Sequence, residues 1–160
     1  MLIDSIAELV AEVAAQGGRP AVCLLPRLDW TPSIDDWEPV ASLPELDTLA
    51  SDPYWEVFGE PLEPFVPDHA RYLQGLAAAH ELTPQLWIQG FHLGPEHVDE
   101  IHMAVRLARA AGIEDLWTWG YEACGHITGL GPRQSEVVWE ALTEALTGTV
   151  PTVPDRVLAR

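Results

Sequence analysis

Four short apolar runs, separated by stretches with helical periodicity, constrain this chain more than any other feature. They are Pro20-Ala-Val-Cys-Leu-Leu-Pro26, Leu46-Asp-Thr-Leu-Ala50, Gln85-Leu-Trp-Ile-Gln-Gly-Phe91 and Asp115-Leu-Trp-Thr-Trp-Gly-Tyr121. Each reads as a strand, and the unbroken first run has the pattern of one buried on both faces. Ahead of it, Ile6, Leu9, Val10, Val13 and Ala14 recur at helical spacing. That helix runs from Asp4 to Gln16, with Asp4 or Ser5 to cap it and Gly17-Gly18 to end it. After the first strand, a short helical pattern follows Pro32 through Trp37, Val40 and Leu43. Pro53, Pro61, Pro64 and Pro67 predict an ordered loop. A helix from Pro67 or Asp68 to His80 puts Tyr72, Leu73, Leu76 and Ala79 on one side. Pro95 opens another, which runs to Ala111 and stops at Gly112; a last one runs from Arg133 to Leu146.

The order is α-β-α-β-α-β-α-β-α. Connections long enough to hold a helix force neighbouring strands to run parallel, so the expected class is α/β. No glycine-rich phosphate loop follows the first strand, where Pro26-Arg27-Leu28 stands instead. That weighs against a nucleotide-binding, doubly wound sheet. The 160 residues suit one domain, expected over residues 1–148 with a tail over 149–160.

Composition removes whole classes of function. The chain is 48% apolar, so it is not a disordered segment. Eight basic residues, all arginine, stand against 25 Asp and Glu, for a formal charge of -17. Such a surface repels phosphate backbones, so no nucleic-acid partner is expected. No apolar run reaches the roughly 18 residues of a membrane span, so no membrane partner is expected either. Met1-Leu2-Ile3-Asp4 lacks the basic stretch of a signal peptide. Cys23 and Cys124 make no disulfide framework, which fits a reducing cytoplasm. Seven tryptophans remain, several near segment ends beside Asp, Pro and Gly, where aromatic rings often line sugar sites.

Trp87-Ile88-Gln89-Gly90-Phe91 leads into an amphipathic helix, and Ala110-Ala111-Gly112-Ile113 leads into Leu116-Trp117-Thr118-Trp119-Gly120. This pattern resembles the last two βα units of glycoside-hydrolase-like TIM barrels. Ser51-Asp52-Pro53-Tyr54-Trp55 is similar to the end of their sixth strand. The resemblance spans residues 3–148. A (β/α)8 barrel needs about 250 residues. This chain offers four strands and starts on a helix, so the resemblance implies four parallel βα units, the C-terminal half of a barrel: helix four, then units five to eight. A half barrel has two open sheet edges and an uncovered core face. Self-association, a separate N-terminal half-barrel chain or the upstream part of a longer protein would cover it. The plainer alternative is a freestanding four-stranded α/β sandwich.

Barrel function sits at the C-terminal ends of the strands. That filter selects Arg27 and Asp29 after the first strand, and Asp52, Tyr54 and Trp55 after the second. It selects Gln89 and His92 after the third, and Trp119, Tyr121, Glu122, Cys124 and His126 after the fourth. Acids, amides, imidazoles and flat rings together suit a carbohydrate ligand. Asp52 and Glu122 are the expected catalytic carboxylates, since glycoside hydrolysis uses two about 5–10 Å apart. Arg27, Tyr54, Trp55, Gln89, His92, Trp119, Tyr121 and His126 are expected to bind substrate, with Trp55 and Trp119 as platforms. The resemblance implies a nucleophilic Glu at the end of strand seven, where this chain has Gln89, an amide that cannot attack. The function expected is therefore glycan binding or hydrolysis only once a second half completes the barrel. The alternatives are a noncatalytic carbohydrate-binding or assembly module and a metal-assisted barrel hydrolase. No metal or other cofactor is expected: His97 and His102 are five apart rather than four and read as solvated helix residues. Cys124 reads as a small buried residue. Trp87 and Trp117 are expected to face the helices, Gln89 and Trp119 the barrel interior. Trp139 reads as core, and Trp30 and Trp37 fit either role.

Overall fold

The structure, a computed structural model, describes residues 2–26, 36–127 and 129–148, and the backbone alone of Tyr121. Arg27, Asp29, Trp30, the Tyr121 side chain and the expected tail over 149–160 lie outside the described residues. Among the described residues, the elements follow the expected order. They are α1 (Leu2–Ala15), β1 (Ala21–Leu24), α2 (Glu38–Ala41), β2 (Thr48–Ser51), α3 (Trp55–Phe58), α4 (Leu62–Ala79), β3 (Thr83–Gln89), α5 (Val98–Ala110), β4 (Asp115–Trp119) and α6 (Ser135–Thr147). A 3-10 turn, Pro95–His97, follows β3, and a tight turn with non-helical backbone at Glu122 and Ala123, Tyr121–Cys124, follows β4.

Local chemistry sets most boundaries. The chain leaves α1 through Gly17 at φ 78°, a left-handed conformation that glycine adopts without a Cβ penalty. The proline-rich segment differs from expectation. Rather than only a loop, it holds α3 and the start of α4. Glu63 is non-helical, at φ -102° and ψ 124°, so the regular turn begins at Pro64. A proline there gives up only an N–H that has no helical partner anyway, whereas Pro67 stands inside the helix and forgoes the first helical bond, the one to the Glu63 carbonyl. Periodicity alone places the start too late because prolines read as breakers.

The four strands form one parallel sheet in the order β1-β2-β3-β4. Strand order follows chain order without reversal. Right-handed crossovers in a single direction lay every connecting helix on the same side of a sheet. The burial agrees. Leu24, Leu49, Leu86 and Ile88 join Val66, Leu73, Ile101, Val105, Val138 and Leu142 in one core between sheet and helices. Trp37 is fully buried there, its ring 5.2 Å from that of Tyr72. Trp139, expected in the core, is only half-buried on α6.

The other face carries the alternate residues. In register these are Cys23 with Ala50, Ala50 with Gln85, Gln85 with Asp115, Trp87 with Trp117, and Gln89 with Trp119. Described helices do not cover this face: Trp117 is 52% exposed and Trp119 38%. The expectation that Trp87 and Trp117 face the helices is therefore corrected. Side chains alternate with period two, so residues 87 and 89 share a face, as do 117 and 119. Trp87 and Trp117 stack on the open face with ring centroids 5.8 Å apart. No described helix is long and apolar enough to cross a membrane.

Candidate functional site at the carboxyl ends of the strands

A parallel sheet brings the carboxyl ends of all its strands to one edge. There, on the uncovered face, a cavity of about 470 Å³ opens. Cys23 and Leu25 wall it from β1 and its end, Asp52 and Tyr54 from the segment after β2, and Trp87 and Phe91 from β3 and its end. Trp119 and Leu130 close the far side. Three rings make a continuous wall: Tyr54 meets Phe91 edge-on at 5.1 Å, and Phe91 meets Trp119 edge-on at 5.0 Å. Edge-to-face contacts of this kind fix ring orientation as well as add attraction.

Asp52 is the carboxylate in this wall. Its Oδ1 is shut off from solvent and has no hydrogen-bond partner among the described residues. Burial pushes the carboxyl up to about 7, against a hydrogen bond from its own backbone that pulls the other way. An isolated carboxylate is costly to hold away from water, and the neutral acid relieves that cost. At neutral pH Asp52 can therefore donate a proton or a hydrogen bond into the cavity. Burial, and then the Asp52 charge, raise the Tyr54 hydroxyl, so it stays a neutral donor. Cys23 presents an exposed edge on the open face but is otherwise surrounded by chain. That enclosure, and then Asp52, push its thiol up to about 12, which leaves it protonated and a poor nucleophile.

The structure brings some of the expected residues together and separates others. Asp52, Tyr54 and Trp119 share the cavity. Trp55 does not: it is 2% exposed in the helix layer, where its Nε1 donates to Glu100 Oε2 at 2.9 Å. A ring buried on that side offers no face to a ligand. Gln89 is fully buried and its amide is already used. Nε2 donates to the Phe91 carbonyl at 2.8 Å, and Oε1 accepts from the Glu56 backbone N–H at 3.2 Å. It ties the end of β3 to α3 rather than facing a ligand.

Glu122 is not in the cavity wall with Asp52, and its carboxylate lies 3.6 Å from His126 Nε2 on a largely exposed imidazole. His92 is exposed, with a left-handed backbone at φ 58° whose N–H donates to the Leu130 carbonyl. Cys124 is buried, and that burial raises its thiol. His97 and His102 differ from the solvated residues expected. His97 accepts the Gly94 N–H at Nδ1 and holds Nε2 3.7 Å from Glu56, while His102 lies 3.9 Å from Glu144. Among the described residues, no group of three or more His, Cys, Asp or Glu is placed to hold a metal ion.

Sequence reasoning missed Cys23, Leu25, Trp87, Phe91 and Leu130 as cavity walls. For Trp87 the signal was present, since strand alternation from Gln89 or Trp119 reaches it. For Leu130 there was none, because only the fold returns that loop to the end of β3.

Solved structures place this fold. A protein from Bacteroides thetaiotaomicron assigned as an alpha-L-fucosidase superposes with a TM-score of 0.68 at 13% identity, over 90% of this chain and 49% of its own. An endo-beta-1,4-mannanase from Thermotoga petrophila superposes with a TM-score of 0.61 at 13% identity, over 96% of this chain and 41% of its own. The chain thus spans half the length of these proteins or less. No family model and no curated protein matches the sequence. What this chain shares with both is the fold: an α/β chain with four parallel strands in one sheet.

Proposed function

We propose that this chain is half of a glycoside-hydrolase-like (β/α)8 barrel and binds or hydrolyses a glycan once a second half covers its open strand face. The observation that carries this reading is the position of the cavity. It lies at the carboxyl ends of four sequentially ordered parallel strands, where barrel enzymes hold their substrates, and its wall combines Asp52, Tyr54 and Trp119. Flat rings suit the apolar face of a pyranose, and the neutral Asp52 and Tyr54 suit its hydroxyls.

Hydrolysis has a clear requirement. Asp52 supplies a proton to the leaving oxygen, and a second carboxylate attacks or activates water from across the sugar. Glu122 does not share the cavity and Gln89 is an amide, so the second carboxylate comes from the completing half. Without it, the same cavity is a noncatalytic glycan-binding site. The engaged amide of Gln89 favours that second reading for the chain by itself.

Titration calorimetry with fucosylated and β-1,4-mannan oligosaccharides, the substrates named by the structural neighbours, tests the proposal. Binding that weakens about tenfold in Trp119→Ala, the loss of roughly 1.4 kcal/mol of stacking, supports it. In the completed barrel, Asp52→Asn slows sugar release about 100-fold or more if Asp52 is the acid. Binding unchanged in Trp119→Ala and in Tyr54→Phe removes the cavity from the account.

A further inference from the structure

The open strand face is divided by size. On β1 and β2 its inward residues are small: Ala21, Cys23, Thr48 and Ala50. On β3 and β4 bulk dominates, in Gln85, Trp87, Trp117 and Trp119, with the smaller Asp115 between them. The bulk is fixed in place. Trp87 Nε1 donates to Gln85 Oε1 at 2.8 Å, Gln85 Nε2 to Asp115 Oδ2 at 2.8 Å, and Trp117 Nε1 to Asp115 Oδ1 at 2.9 Å. The two indoles stack within this network, so neither swings aside without breaking a hydrogen bond.

In a closed eight-stranded barrel each strand lies across the interior from the strand four places on. Two copies of this chain around a two-fold axis would set every strand opposite its own counterpart. Trp87 and Trp117 would then meet themselves, while the exposed Ala21 and Cys23 would face their own small counterparts across a hollow. An eight-stranded interior is just wide enough for side chains to fill, so both mismatches count. Charge points the same way, because each copy carries -17.

We propose that the half completing this sheet is a different four-stranded βα chain segment, with bulky inward residues on its first two strands and small ones on its last two. The proposal rests on the half-barrel reading above. It names the partner's chemistry: an inner face complementary in size to this one, on a body less acidic than this chain.

Sedimentation velocity in high salt, which screens the like charges, tests it. The probe partner is a full-length variant with the size pattern reversed: Cys23→Leu, Ala50→Leu, Trp87→Ala and Trp117→Ala. The expected result is no discrete dimer of the wild type alone, and a one-to-one complex on mixing with a dimer fraction several-fold above that of either chain alone. If circular dichroism shows that the four-fold variant does not fold, Trp87→Ala with Trp117→Ala serves as the partner; it relieves only the clash of the indoles, so the expected gain in one-to-one complex is smaller but still above either chain alone. A discrete wild-type dimer that shields Trp117 from acrylamide overturns the inference but leaves the half-barrel reading standing. A folded partner that gives no complex on mixing also overturns it. A wild-type monomer in which Trp117 is already shielded, read against Trp117→Ala, overturns the half-barrel reading as well.

Discussion

Asp52 concentrates what the site can do at the scale of one residue. Its carboxyl ordinarily titrates at 3.8, and burial moves it up to about 7 in the folded chain. Unfolding returns it to the ordinary value. The folded state therefore keeps a proton that the unfolded state has released between those two pH values. The contribution of Asp52 to stability is whole below the lower value and is lost as pH rises through the upper one. Thermal melts of wild type and Asp52→Asn from pH 4 to 8 read this directly: the wild type loses stability relative to the variant as pH rises. A constant difference would mean an ordinary, solvated carboxylate. Asp52 and Tyr54 were legible in the sequence because they follow a strand in a parallel α/β order. Their burial was not: Tyr54, for one, packs with Phe91 and Leu130, which come from other segments. Trp55 shows the converse. Next to two cavity residues in sequence, it enters the helix layer because a helical turn begins there, and its indole finds Glu100, 45 residues on.

Among the elements, the close approach of β3 and β4 organises the rim. A Cβ at Gly90 would stand 2.7 Å from Thr118 Oγ1 and 2.8 Å from the Trp119 carbonyl. The second of these is backbone and cannot turn away. Gly90→Ala should cost about 1–3 kcal/mol by forcing the strand ends apart, visible as a lower denaturation midpoint. An unchanged midpoint would mean that the ends of β3 and β4 are not held this closely. Element order and type were legible from periodicity, because strands and helices bury residues with different spacing. Two features were not. The start of α4 hides among prolines. The turn after β4 places Glu122, Ala123 and Cys124 all at positive φ, which none of those residue types advertises.

For the whole molecule, the sheet has two faces of opposite character and two strand edges with no described partner. One face is sealed by α4, α5 and α6, with Leu73, Ile88 and Ile101 at its centre. The other presents indoles, and β1 and β4 each pair on one side alone. The strand number was readable in the sequence; which side chains line the open face needed the register. Hydrogen exchange on the isolated chain, resolved by strand, tests this most directly. Amides of β2 and β3 are bonded within the sheet on both sides, whereas alternate amides of β1 and β4 point outward to water. The account predicts that β1 and β4 exchange much faster than β2 and β3. Equal, strong protection across all four strands would show that the sheet is already closed and would contradict the half barrel.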